Sequence, residues 1–142
     1  MENKLIERFK TTKKAITFLK KAIDDYKDLK DKRYVEHLRN SKIQSLEFSV
    51  DTLWKFLLIY FTKTEGKELK PTPKTVFRYC LQADLTNKDE TELLLEMVDS
   101  RNLSSHTYHE DLAETLNENI EEYYELMKKI LDKVEKLLII EK

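Results

Sequence analysis

Residues 108–140 read YHEDLAETLNENIEEYYELMKKILDKVEKLLII. Leu116, Ile120, Tyr123, Tyr124, Met127, Ile130, Leu131, Val134, Leu137 and Leu138 recur at steps of three and four for six turns. That period gathers the apolar side chains on one stripe of an α-helix and leaves the acids and lysines on the other. No Gly or Pro interrupts it. A helix this long and this one-sided needs apolar faces to pack against, so the remaining segments must supply them.

They do so as helices. Residues 3–30 carry Leu5, Phe9, Ile16, Leu19, Ile23 and Tyr26 on one stripe, with Lys10, Lys13, Lys14, Lys20 and Lys21 clustered away from it. A polar joint, Lys30-Asp31-Lys32-Arg33, leads into a second helix over roughly 33–63. Leu46, Val50, Leu53, Trp54, Leu57 and Phe61 form its main stripe, while Phe48, Phe56, Ile59 and Tyr60 lie elsewhere around it. The nearly all-round apolar second half predicts burial on more than one side, in a bundle centre or a dimer interface. The only Gly and both Pro fall in KTEGKELKPTPK, residues 63–74, the one clear loop. Thr72 followed by Pro73 predicts an N-cap and first helical position, opening a helix over about 73–83. Asn87 and Glu90 frame a capping-box start for a helix near 88–102, with Leu93, Leu94, Met97 and Val98 inward, and Thr107 with Glu110 opens the last helix. No strand pattern and no repeat occurs. The expected fold is all-α, an up-and-down bundle of four to five helices in a single domain spanning 1–142.

Composition removes many functions. One Gly in 142 residues excludes a Walker-type phosphate loop and a dinucleotide fingerprint. One Cys excludes disulfide scaffolds and Cys-rich zinc modules, and Cys80 reads as a buried thiol of a reducing compartment. The basic start lacks a continuous apolar segment, and the longest apolar run, Phe56 to Phe61, is six residues. These features predict a cytoplasmic protein without a membrane span. Net charge is only −1, but residues 1–71 hold 17 Lys and Arg against 11 Asp and Glu, and residues 72–142 hold 9 against 16. The N-terminal half is therefore a candidate surface for anions such as RNA, unless the two halves attract each other within the fold.

Chemistry concentrates at the last joint, Asp99-Ser100-Arg101-Asn102-Leu103-Ser104-Ser105-His106-Thr107-Tyr108-His109-Glu110. Arg101 offers a fixed fork of donors suited to phosphate. His106 gains and loses a proton near neutral pH. Tyr108 adds a hydroxyl and a stackable ring. In a regular helix Arg101 and His106 stand about 140° apart, and a break after Asn102 would swing them into one pocket. The structural alternative is a pairing of Arg101 with Asp99 or Glu96 and capping by the serines and Thr107. His106, His109 and Glu110 imitate metal-ligand spacing, but no H-E-x-x-H pair is present and His37 is distant in sequence, so neither metal nor cofactor is expected. On the second helix Glu47, Asp51 and Lys55 share one face, either as an ion-paired stripe or as the lining of a cleft.

Arg101 to Tyr108 also form Arg-x-x-x-x-His-x-Tyr, which resembles the signature of HEPN domains, the all-helical partners of minimal nucleotidyltransferases. The chain is most similar to the branch named nucleotidyltransferase substrate-binding proteins. That branch carries a D-R-N-x-x-S-H-T-Y-like stretch, and here the acid sits one position earlier, at Asp99. Upstream, Gln44, Glu47, Phe48, Asp51, Trp54 and Lys55 resemble its Q-x-x-E-aromatic-x-x-(E/D)-x-x-W-K helix. Pro73, Lys74, Val76, Phe77 and Arg78 resemble the start of its third helix, and Leu95, Glu96 and Met97 its approach to the motif. The likeness spans residues 40–110 in order.

The resemblance implies a HEPN-like bundle that forms a homodimer, with the motifs of two protomers facing one cleft. It implies a small nucleotidyltransferase, encoded beside this chain, as partner. In the toxin branch, Arg101 and His106 would be the catalytic pair of a metal-independent RNase. Asn102, Ser105 and Tyr108 would bind RNA or nucleotide, and Tyr108 would be the residue that the partner nucleotidylates. Glu47, Asp51 and Lys55 would line the cleft. A different reading of the same family makes the bundle a non-catalytic nucleotide-binding subunit of the transferase. A purely structural helical adaptor is the third class.

Overall fold

The computed structural model describes residues 2–28, 35–106 and 110–140, with side chains described for 4–28, 37–102 and 117–138. Five helices follow one another: α1 (Glu2–Lys27), α2 (Val35–Glu65), α3 (Pro73–Gln82), α4 (Lys88–His106) and α5 (Glu110–Ile140). No strand occurs among the described residues. The all-α bundle expected from the sequence is the fold.

Cross-helix contacts fix the directions. Ser49 on α2 donates to the Ala15 carbonyl at 3.2 Å, and Lys42 lies over the Tyr26 ring, so α1 and α2 run antiparallel. Lys13 with Glu135 and Lys27 with Glu121 set α5 antiparallel to α1, and Lys129 with Glu90 together with Ser100 and Tyr123 set it antiparallel to α4. The expected stripes are buried over most of their length, but Leu137, near the end of α5, is 39% exposed. Leu19, Leu46, Leu53, Leu57, Phe61, Leu94, Met97, Ile120, Tyr123 and Met127 are all fully enclosed.

α2 packs against each of the other four helices. Its second half is therefore apolar all round because one chain buries it, with Phe56, Leu57, Tyr60 and Phe61 in the core. Of the two explanations for that pattern, the bundle centre is the one realised, and this half of α2 supplies no argument for a dimer. The apolar exception lies in the first half, where Phe48 stays 61% exposed, alongside Phe18 of α1 at 65%.

The ends of the helices follow local chemistry. Thr72 accepts from the Thr75 N–H and Pro73 opens α3. Asn87 and Glu90 exchange side-chain and backbone bonds at 2.9 and 2.8 Å, a complete capping box. Gly66 ends α2 with φ +63°, and the Lys67 N–H reaches back to the Phe61 carbonyl at 3.4 Å, the left-handed stop that favours glycine. The Thr107–Glu110 box lies outside the described residues. Cys80 is enclosed, and burial pushes its thiol up to about 12, which keeps it an inert packing group.

One boundary differs from the sequence expectation. α4 does not break after Asn102; it continues to His106. The Asn-Leu-Ser-Ser stretch has no apolar period, so the sequence pattern fades before the backbone helix does. Positions 101 and 106 thus sit on one unbroken helix, and its register keeps them about 140° apart.

Candidate functional site

Two helices build the described part of the site. On α2 the buried seam of Leu46, Val50, Leu53 and Leu57 turns the neighbouring stripe of Glu47, Asp51 and Lys55 toward the bundle edge. On α4, Leu94, Met97 and Val98 enter the core and anchor the helix beside α2. Arg101 stands three and four positions after Val98 and Met97, at the rim of that contact.

There it meets Asp51. The Arg101 Nε donates to one Asp51 carboxylate oxygen at 3.1 Å, and Nη2 donates to the other at 2.8 Å. This is a two-point, fork-to-fork pair between residues 50 positions apart, and it fixes the plane of the guanidinium. The pair is half-sheltered, with Arg101 23% and Asp51 37% exposed. The bond from Asp51 holds the Arg101 guanidinium above its ordinary pKa, and the nearby Glu47 carboxylate acts in the same direction. Arg101 therefore stays cationic at every pH at which the protein is folded.

The neighbours of Arg101 are committed as well. Asp99 is bonded to Lys74 of α3 at 2.7 Å. Ser100 shares a hydrogen bond of 3.1 Å with the Tyr123 hydroxyl of α5. Burial raises the pKa of that phenol, which keeps it protonated. Arg101 thus pairs with Asp51, while Asp99, one of the partners expected from local sequence, serves α3 instead. Lys55 sits one turn beyond Asp51, exposed, with its ammonium 5.7 Å from the Trp54 ring centroid.

The structure brings together Glu47, Asp51 and Arg101 from the expected set, and places Asn102 exposed on the next position of α4. Ser105 and His106 lie within the α4 backbone, but their side chains lie outside the described residues, as does Tyr108 entirely. The break that would have swung His106 onto Arg101 is absent. Among the described residues no group of three His, Cys, Asp or Glu gathers in a metal-holding arrangement. No described helix is long and apolar enough to cross a membrane. The Tyr123 hydroxyl and Lys74 are the members that spacing did not mark as site residues. Tyr123 reads as core from its stripe, and nothing in the sequence signals that its hydroxyl reaches Ser100.

The arrangement presents a guanidinium whose plane is fixed by Asp51 at the edge of two helices. Comparisons with known proteins agree with that helical frame. The family described as "Nucleotidyltransferase substrate binding protein like" matches residues 7–136. The crystal structure of ttk003001694 from Thermus thermophilus is similar, with 34% identity and a TM-score of 0.75, covering 86% of this chain and 97% of that one. A second similar structure is that of the tri-AMPylated Shewanella oneidensis HEPN toxin in complex with MNT antitoxin. It has a TM-score of 0.73 over 93% of this chain and 96% of that one; at 17% identity the likeness is one of fold. No protein of curated function matches at a significant level.

Proposed function

The chain belongs to the nucleotidyltransferase substrate-binding family, with a HEPN-like fold, and on that premise we propose that it is the helical partner of a small nucleotidyltransferase in a toxin–antitoxin type module, acting as a metal-independent RNase. The observation that carries the reading is the Asp51–Arg101 pair, 3.1 and 2.8 Å, which presents an oriented cation five residues ahead of His106. In this reading Arg101 stabilises the charge that grows on a phosphodiester in the transition state. His106 takes the proton from a ribose 2′-hydroxyl, whose oxygen then bonds to phosphorus. The bond from phosphorus to the 5′ oxygen breaks, and that oxygen takes up a proton. The products are a 2′,3′-cyclic phosphate and a 5′-hydroxyl. Asn102, Ser105 and Tyr108 bind the RNA or nucleotide. Glu47, Asp51 and Lys55 line one wall.

Because α4 is unbroken at Asn102, a second protomer that sets its own motif across the cleft completes the site, and the working unit is a homodimer. Silencing follows from Tyr108. Its phenolic oxygen attacks the α-phosphorus of a nucleoside triphosphate on the partner, pyrophosphate leaves, and the phenolic proton goes to solvent. The S. oneidensis HEPN toxin, by its own description tri-AMPylated and in complex with an antitoxin, supports this direction. A nucleotide fixed there adds negative charge and bulk to the motif and blocks the approach of RNA.

The family's description as substrate-binding favours one other reading, a non-catalytic subunit that holds nucleotide at the same residues. The two separate in one experiment. Purified wild-type protein incubated with single-stranded RNA in EDTA is expected to cleave it. Arg101→Ala and His106→Ala are each expected to lower the rate by about 10²-fold or more while remaining folded. Wild-type protein that leaves RNA intact, and whose expression without a partner leaves growth unaffected, decides for the binding subunit.

A further inference from the structure

The first half of α2, ahead of Asp51, borders a groove of about 520 Å³ shared with α1, within the usual ~300–1,000 Å³ range of ligand sites. Phe18 and Phe48 line it, 65% and 61% exposed, while its other walls are small or polar, among them Ala15, Ser41, Ser45 and Gln44. α1 and α2 approach closely beside it, at the bond from Ser49 to the Ala15 carbonyl. Two aromatic rings left in water along a mainly apolar groove are stacking surfaces without an occupant among the described residues.

Charge indicates what the occupant is. Along α1, Lys13, Lys20 and Lys27 are neutralised by Glu135, Asp24 and Glu121. Among the described residues Lys10, Lys14 and Lys21 make no ion pair, and all three are exposed. Lys14 lines the groove itself, Lys10 stands one turn before it, and Lys21 two turns after it on the same side. A second copy seated here by two-fold symmetry would set this lysine row against itself. An anionic chain bearing flat rings matches both features.

We propose that the α1–α2 groove is a track for single-stranded RNA: bases stack on Phe18 and Phe48, phosphates meet Lys10, Lys14 and Lys21, and Gln44 with the two serines meets base edges. The identity of the ligand rests on the RNase reading above. The track is continuous with that site, because Phe48 precedes Asp51 by three positions, a rise of about 4.5 Å on one helix. A strand whose phosphate is engaged at Arg101 thus leads directly into the groove.

The test uses the full chain and a fluorescein-labelled 2′-O-methyl oligouridine, which has no 2′-hydroxyl to react, with a duplex of equal length as control. Fluorescence anisotropy is expected to show preference for the single strand. Phe18→Ala and Phe48→Ala should each weaken binding by about tenfold. Phe48→Tyr should restore it and Phe48→Leu should not, which separates ring stacking from apolar contact. Lys14→Ala should lower the slope of log affinity against log salt by about 0.7. Unchanged affinity in both Phe→Ala variants overturns the proposal. So does a change from dimer to monomer in light scattering of those variants, which would make the groove an interface between copies. Cleavage of unmodified RNA is scored apart from this. If binding ignores the rings while Arg101→Ala still abolishes cleavage, the track alone falls. If binding depends on the rings while wild type never cleaves, the RNase reading alone falls.

Discussion

The two edges of α2 handle their unsatisfied groups in opposite ways. On the α4 side, Asp51 of α2 takes Arg101, and the neighbours of Arg101 are held in turn: Asp99 by Lys74 of α3, and Ser100 by the Tyr123 hydroxyl of α5. On the α1 edge two phenylalanines and three lysines find no such partner among the described residues. Internal pairing fixes atoms in place, as chemistry at a defined phosphorus requires. Unpaired rings and ammonium groups adapt to whatever strand arrives, as holding requires. The same helix thus carries a rigid edge and an accommodating one, about one turn apart.

The comparison can be broken at three depths. The largest effect is expected inside α2, between its two edges. Leu57 is fully enclosed, so Leu57→Ala should cost about 2–5 kcal/mol of stability, read as a fall in the urea midpoint. Phe48→Ala, at a site 61% exposed, should stay within about 0.5 kcal/mol. A large loss at Phe48 would mean that this ring is structural and would remove the contrast.

A smaller effect is expected at the rigid edge. Asp51→Asn keeps the shape and removes the charge that orients Arg101. In a half-sheltered pair the loss should be about 1 kcal/mol, a Tm decrease of about 2–4 °C. Cleavage should fall by about tenfold. Arg101→Lys should not compensate, because an ammonium cannot reproduce a two-point contact. Unaltered cleavage in Asp51→Asn would show that the guanidinium needs no orientation.

The smallest effect concerns the cap of α4. The Lys129 ammonium and the Asn87 N–H hold the Glu90 carboxyl below its ordinary pKa. A depressed folded pKa contributes stability that is present above the unfolded value of about 4.3 and is lost as pH falls through the folded value. Stability should therefore decline as pH drops from about 5 toward 3, by a few tenths of a kcal/mol from this group. Glu90→Gln should flatten that part of the urea-midpoint profile. An identical acid limb in the variant would assign it to other carboxylates.

The sequence disclosed these regions unequally. The caps at Thr72–Pro73 and Asn87–Glu90 were legible because their bonds join residues three apart, so the pattern and the contact coincide. The buried stripes were legible for the same reason, through the helical period. The continuation of α4 to His106 was not, because Asn102 to Ser105 carry no apolar period and resemble a joint. Arg101 stood out by its chemistry, and Asp51 by its place beside Glu47 and Lys55, yet nothing local joins residues 50 positions apart. Their meeting comes from the packing of α4 on α2. Phe48 was visible as an outlier from the main α2 stripe. That it shares a groove with Phe18 depends on where Ala15 and Ser49 let the two helices approach.

Single-turnover cleavage of a single-stranded RNA, measured across protein concentrations, tests the division between the two edges most directly. The maximal rate reports the chemistry, and the half-saturating concentration reports the holding. The account predicts that Arg101→Ala lowers the maximal rate by about 10²-fold with little change in half-saturation. Phe18→Ala and Phe48→Ala should raise half-saturation by about tenfold and leave the maximal rate in place. Wild-type protein without cleavage, or Phe variants that lose maximal rate as Arg101→Ala does, would contradict it.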